Sequence, residues 1–334
     1  MKTVLITGCC GLLGTNFAKY LRKQGGYVVV GIDDLSGGYK ENIDDGCVQF
    51  FYQIDLCDAD KVERVFKEHK PDYVYHFAAY AAEGLSPFIR RYNYQNNSIA
   101  YTSVINNCVK YSTKKLIVAS SMAVYGQGNP PFAEDQKPAP EDPYGIAKYA
   151  MEMDVEAAGR LFDLRWTVVR PHNIVGKYQN IWDRYRNVIG IWIRRSLAGE
   201  TITIYGDGTQ VRAFSDVKFY MRPFEQLMEV GDGEIINIGA DKYYSINEAA
   251  NMVKEIAQEY GYYPELEYLE KRDEVHTAYC DHTKAKTLLH FDDKTDLKCT
   301  IRQMFAWALH QPQKPIRKMN YEIEKNLYSF WKNE

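Results

Sequence analysis

Residues Lys2–Thr7 read as a short buried strand that runs directly into Gly8-Cys9-Cys10-Gly11-Leu12-Leu13-Gly14. An amphipathic run over 16–23 follows at once. Few chain folds need three glycines at this spacing between a strand and a helix. Glycine permits the tight turn, the close approach of backbone to a pyrophosphate, and the close packing of helix on strand. The helix N-terminus adds free N–H groups and the positive end of its dipole. Glycines also serve plain turns, so the assignment rests on the strand–loop–helix context. Gly8, Gly11, Leu12, Leu13 and Gly14 are therefore candidate dinucleotide contacts.

The next strand, 27–32, ends at Asp33-Asp34. Asp33 stands 19 residues after Gly14, close to the ~20 expected of the acid that binds the adenosine ribose hydroxyls. An acid there repels a 2′-phosphate, and the loop that follows holds Lys40 but no arginine. NAD is favoured over NADP. A third strand over 47–52 leads to Asp55-Leu56. Asp55 either bonds the adenine amino group or caps the helix Ala59–His69. Strand 73–77 ends in the small residues Ala78 and Ala79, against which a cofactor can lie. Helix 96–111 brings in Asn96, and strand Lys115–Ala119 ends in Ser120-Ser121-Met122-Ala123-Val124-Tyr125-Gly126.

Alternating strands and helices over 2–120 imply βαβ units and a parallel sheet. Ligands of such sheets sit at the carboxyl ends of the strands. Gly8, Asp33, Phe77, Ala78 and Ser121 all fall there. Ser121 is also placed to serve as a plain turn hydroxyl. The stretch Asp142-Pro143-Tyr144-Gly145-Ile146-Ala147-Lys148 opens a helix, because proline suits the first helical turn. Residues four apart share a helix face, so Tyr144 and Lys148 look into one space. A nearby cation favours phenolate, which makes Tyr144 a candidate general base. With 27 tyrosines in the chain, the pair alone decides nothing; its convergence with Gly8, Asp33 and Ser121 does.

Beyond residue 176 the rhythm becomes irregular. Helices are expected over 182–197, 246–260 (N-capped by Ser245), Thr283–Leu289 and 300–309, with strands at Ile202–Tyr205 and 235–238. The aromatic and basic segment 311–334 docks either on a partner subunit or on the body of the protein.

The net charge of −3 gives no global field for nucleic acid or membrane. No apolar run approaches the ~20 residues needed to span a bilayer. Seven scattered cysteines without a C-x-x-C pair fit reduced thiols and a cytoplasmic location. The histidines show no metal-ligand spacing, and no G-x-S-x-G elbow is present.

Taken together, the motifs resemble those of the extended short-chain dehydrogenase/reductases, specifically the nucleotide-sugar epimerases and dehydratases of the UDP-glucose 4-epimerase type. The resemblance runs from residue 1 to about 305. It rests on Thr7-Gly8-x-x-Gly11-x-x-Gly14, Asp33-Asp34-Leu35-Ser36, the Ser121 segment, Pro143-Tyr144-Gly145-x-x-Lys148, Arg170-Pro171-x-Asn173 and Tyr205-Gly206-Asp207-Gly208-x-x-x-Arg212. It implies an α/β fold: a Rossmann-type, doubly wound parallel sheet (1–175) with a smaller mixed α/β lobe (176–334) for the nucleotide sugar. Segments such as 214–240 return to the first lobe. It further implies Tyr144 as the base, Lys148 on the nicotinamide ribose, Ser121 on the reacting hydroxyl, and Asn173 and Arg212 on the diphosphate. The substrate implied is a nucleotide-diphosphate sugar, UDP-linked, and the assembly a homodimer.

Departures from the family pattern narrow the reading. Dehydratases of this family place an acidic pair directly after the catalytic hydroxyl residue; here Met122 and Ala123 stand there. Asp33 argues against the NADPH preference of the family's reductases. Epimerisation is therefore expected, against a reductase or dehydratase of a nucleotide-linked sugar, or a non-catalytic NAD-binding protein. Glu83, in the unusual Glu83-Gly84-Leu85-Ser86-Pro87, is a candidate sugar contact. Either Arg272, with a one-residue shift, or Lys271, in direct register, holds the phosphates. In direct register Ala278 lies near the sugar, where a small residue admits an N-acetyl group.

Overall fold

A computed structural model describes residues 1–272 and 274–332. Its centre is a seven-stranded parallel sheet. The strands are β1 (Lys2–Thr7), β2 (Tyr27–Asp33), β3 (Phe50–Gln53), β4 (Tyr73–His76), β5 (Lys115–Ala119), β6 (Trp166–Pro171) and β7 (Glu234–Ile238), in the order β7-β6-β5-β4-β1-β2-β3. Strand order reverses between β1 and β4, and that is where a ligand crevice opens in sheets of this kind.

Parallel sheets are covered on both faces, and alternate side chains go to opposite sides. Leu5, Val30, Val74, Leu116 and Val118 point one way. They meet the helices α2 (Ala59–His69), α3 (Ala100–Lys110) and α4 (Pro143–Phe162) through Val62, Val104 and Met151. Val4, Ile6, Val29, Tyr75 and Ile117 point the other way, onto Phe17 and Leu21 of α1 (Leu12–Gln24) and onto Tyr220 and Phe224. Residues 217–238 thus pack on and complete the large sheet, with Ile236 of β7 paired to Val169 of β6. A second core, built on Trp192, Ile193, Val253, Ile301 and Phe305, joins the helices α5 (Val188–Leu197), α6 (Ile246–Glu259) and α7 (Leu297–Ala308) to short strands at Ile202–Tyr205 and Leu266–Leu269.

Several expected boundaries shift for identifiable reasons. Helix α1 starts at Leu12 rather than 16, because its first turn packs on the glycine loop and carries no amphipathic signature. Cys47 and Val48 are buried in a turn after Gly46, whose φ is +74°, and laddering begins only at Phe50. The expected helix 96–111 is regular only over Ala100–Lys110, and a short helix, Arg90–Tyr94, and a π turn, Gln95–Ile99, lead into it. The buried Asn97 amide at that turn bonds Tyr80 and Asn93, and such turns recur at functional sites. Helix 182–197 is the largest correction: it begins only at Val188, after Asn187 in the left-handed region. In α6 the Ser245–Glu248 capping box is complete. The segment 311–332 docks on the body of the protein, where Met319, Leu327 and Trp331 are buried with Tyr80, Phe88 and Tyr185.

Candidate active site

The loop after β1 and the end of β4 touch. A Cβ on Gly8, whose φ is +70°, would meet the Ala78 backbone nitrogen at 2.8 Å, and one on Gly14 would meet the Gly8 carbonyl oxygen at 2.3 Å. Only bare backbone fits, and the result is a groove lined by Gly8, Gly11, Leu12, Leu13, Gly14, Asp33, Asp34, Asp55, Leu56, Phe77, Ala78, Ala79 and Asn96. Asp33 closes its far end. Its buried carboxylate accepts from the Cys10 and Leu35 N–H groups at 2.9 and 2.8 Å. Burial pushes its pKa up to about 6, against the pull of those two donors. Asp55 accepts from Cys57 N, whereas Asp58 caps α2. The capping alternative for Asp55 is thereby removed. Cys9, Cys10 and Asp33 are also close enough to form a potential metal-ligand cluster. The two thiols are 3.9 Å apart and free.

Leu12, Leu13, Phe77 and Arg186 line both this groove and a cavity of about 930 Å³, so the two spaces join. Ser121, Met122, Tyr144, Lys148, Glu83, Asn173, Arg212, Lys271, Arg272 and Ala278 all line the cavity. Asp142 sets the start of α4 by accepting from the Tyr144 and Gly145 N–H groups. That fixes Tyr144 and Lys148 on one face, with the ammonium 5.9 Å from the ring centre. Lys148 Nζ donates to the Ala119 carbonyl at 2.7 Å. Ser121 accepts locally from Ala123 N at 3.1 Å and its side chain also favours the Tyr144 phenolate. The turn-hydroxyl role is thus present, and the same side chain borders the cavity beside Tyr144.

The electrostatics differ from the expectation that Lys148 makes Tyr144 acidic. Burial raises the Tyr144 pKa well above that of a free phenol, and Ser121 opposes this only in part. Burial also lowers Lys148 to about 8, with Glu152 acting to raise it. Desolvation disfavours both charged forms. Glu83 faces the cavity with an exposed side chain. Desolvation by the surrounding atoms, with Asp142 nearby, pushes its carboxyl up to about 7.

Arg170, the first residue of the expected diphosphate segment, turns inward. It makes a two-pronged ion pair with Glu152 at 2.9 and 2.6 Å and donates to Tyr125 Oη. Asn173 is the exposed member of that segment, at φ +39°. Arg212 pairs with Glu274 at 3.2 Å, and Arg272 lies 4.1 Å over the Tyr205 ring. Both Lys271 and Arg272 thus border the cavity.

Sequence reasoning missed Arg186 and Arg317. Arg186, held by Asp183 at 3.0 Å, lies over Tyr80 and beside Gly37. Arg317 donates to the Ser36 carbonyl. Both reach the turn after Asp33 from far along the chain, where a scan of the local loop finds only Lys40. Reading 182–197 as one helix hid Arg186. Among the described residues no helix is long and apolar enough to cross a membrane.

The NAD dependent epimerase/dehydratase family matches residues 4–239. UDP-glucose 4-epimerase of Caenorhabditis elegans is 28% identical over 347 residues, covering 93% of this chain and 98% of its own. The crystal structure of UDP-glucose 4-epimerase with UDP-glucose from Thermotoga maritima is 33% identical with a TM-score of 0.85, covering 92% and 98%. The Thermus thermophilus UDP-glucose 4-epimerase complex with NAD is 27% identical with a TM-score of 0.85, covering 92% and 99%. The chain belongs to the NAD dependent epimerase/dehydratase family.

Proposed function

We propose that this protein is an NAD-dependent 4-epimerase of a UDP-hexose, acting by transient oxidation of the sugar to a 4-ketosugar. The observation that carries this reading is the meeting of Tyr144, Lys148 and Ser121 on the wall of one cavity, beside Met122 and Ala123. The last two cannot serve as acid or base, so elimination of water has no pair of groups to drive it. The reductase and dehydratase readings are the alternatives.

The groove fits NAD: the Gly8 and Gly14 cradle leaves room only for a ligand lying on backbone, and the Asp33 carboxylate faces the ribose position. NAD, when bound, supplies the acceptor and later the donor of the hydride at the sugar ring carbon. The protein's own groups do the rest. Tyr144 Oη takes the proton of the 4-hydroxyl and afterwards returns one. Ser121 bonds the same hydroxyl, and Lys148 binds the nicotinamide ribose and favours the phenolate against burial. Asn173, Arg212 and Arg272 or Lys271 hold the diphosphate, a task suited to the fork of arginine donors. Glu83 bonds sugar hydroxyls. Ala278 leaves room for an N-acetyl group.

The same reading divides the chain at 175/176, with 217–238 in the first unit, and gives a homodimer in the cytoplasm. Ile99, Met153 and Leu161, at or along α3 and α4, are 52%, 50% and 66% exposed, which supports a helix-to-helix interface. The seven free thiols support a reducing compartment.

The deciding experiment is incubation of the NAD-loaded protein with UDP-galactose, without added reduced cofactor. UDP-glucose should accumulate to equilibrium. Net consumption of reduced cofactor, or a 4-keto-6-deoxy product, would select the alternatives.

A further inference from the structure

The segment 311–332 is pinned on both sides of the cavity. At its start Lys314 pairs with Glu41 at 2.8 Å and Arg317 donates to the Ser36 carbonyl at 2.9 Å, both beside the turn that follows Asp33. Midway, the Glu322 carboxylate accepts from the Arg91 and Tyr92 N–H groups, and the Glu322 N–H donates to the Phe88 carbonyl at 2.8 Å. At its far end Phe330 packs on Tyr205 with ring centres 4.5 Å apart, Ser329 reaches Glu270, and Trp331 is buried. Tyr205 carries the Arg272 guanidinium on its ring. The segment is thus a strap from the cofactor side to the diphosphate side.

Between the last two anchors, Lys325 and Asn326 line the cavity, and both are solvent-exposed. Among the described residues, neither has a hydrogen bond or ion pair. Asn326 adopts φ +59°, a conformation that non-glycine residues seldom take. A cation and an amide held without partners at the wall of a cavity match a hydroxyl-rich, anionic ligand. The strap reaches this stretch from the Phe88 carbonyl; Phe88 ends the segment whose Ser86 hydroxyl accepts from the Tyr144 N–H, so Lys325 and Asn326 stand between the start of the Tyr144 helix and the Arg272 side of the cavity.

Resting on the epimerase reading above, we infer that the strap is a specificity element whose Lys325 and Asn326 side chains contact the hexosyl end of the nucleotide sugar. Lys325 donates to sugar hydroxyls or to the oxygen that links sugar and phosphate. Asn326 offers both a donor and an acceptor.

The test is calorimetric titration of the NAD-loaded protein with UDP and with UDP-galactose, in the Tyr144→Phe background so that no turnover occurs. Lys325→Gln and Asn326→Gly are compared with their parent; glycine retains the positive φ and removes only the amide. Lys325→Gln should weaken UDP-galactose about ten-fold or more and Asn326→Gly about three- to ten-fold, the sizes expected for a charged and a neutral hydrogen bond. UDP affinity should not change. Unchanged affinity for both ligands overturns the inference, as does an equal loss for both, while the wild type still epimerises UDP-galactose. A wild type that binds UDP-galactose without epimerising it overturns the activity instead, and a selective loss in the variants then still supports the strap contact.

Discussion

The Lys148 ammonium lies 5.9 Å from the centre of the Tyr144 ring and is anchored on the Ala119 carbonyl at the end of β5. One helix therefore presents the acid–base group and a cation to the same point, and the sheet fixes their depth. Burial raises the pKa of Tyr144, and the Ser121 side chain opposes that rise. Tyr144→Phe keeps the packing and removes only the hydroxyl. The expected result is a fall in kcat of about 10²–10⁴-fold, the range for a lost general acid–base group, with NAD retained and UDP-hexose binding changed by no more than a few-fold. A coupled epimerisation assay beside titration calorimetry checks both parts. Undiminished turnover would remove Tyr144 from the mechanism.

Asp33 gives a pH dependence with a definite sign. Its pKa is pushed up to about 6, so the carboxylate is protonated below that pH and accepts less well from ribose hydroxyls. NAD affinity of the stripped protein should be flat above about pH 7 and fall as pH drops through 6, by up to about ten-fold per unit. Titration across pH 5–8 reads this directly. In Asp33→Asn the slope should vanish; a slope that survives would place the titrating group elsewhere.

Glu152 and Arg170 form an ion pair in which each side chain is only 1% exposed. Ser120 and Tyr125 complete the network. Glu152→Gln leaves Arg170 buried and uncompensated, for which a loss of about 3–5 kcal/mol is expected, read by urea unfolding. Glu152 also supports the charge of Lys148, so the alkaline limb of kcat/KM should move to lower pH in the variant. A stability loss below about 1 kcal/mol would show that the pair adds little.

Gly14→Ala tests the cradle. The added Cβ would lie 2.3 Å from the Gly8 carbonyl oxygen and 2.6 Å from the Cys9 Cα, so loop and helix must separate. The variant should fold around an intact sheet yet release NAD during purification, seen as absence of acid-extractable nucleotide. Retention of a full equivalent would mean that the loop adjusts without loss of the site.

Much of the large lobe was legible because its rules are local. Strand–glycine–helix spacing, the 19-residue interval to Asp33, and the four-residue step from Tyr144 to Lys148 are facts of chain geometry, so the sheet, its ligand edge and those residues could be read from the sequence alone. What needed tertiary structure was everything brought in from a distance. Arg186 and Arg317 reach the Asp33 turn from residues that no local pattern connects to it. Glu83 acquires its raised pKa only from the atoms that the fold brings around it, Asp142 among them. The segment 311–332 is an aromatic and basic run of no recognisable period. It becomes a wall of the cavity because Phe88, Tyr185 and Tyr205 cover its apolar side chains. Burial also opposes the expected acidity of Tyr144, since desolvation is a property of the packed interior and not of the residue spacing.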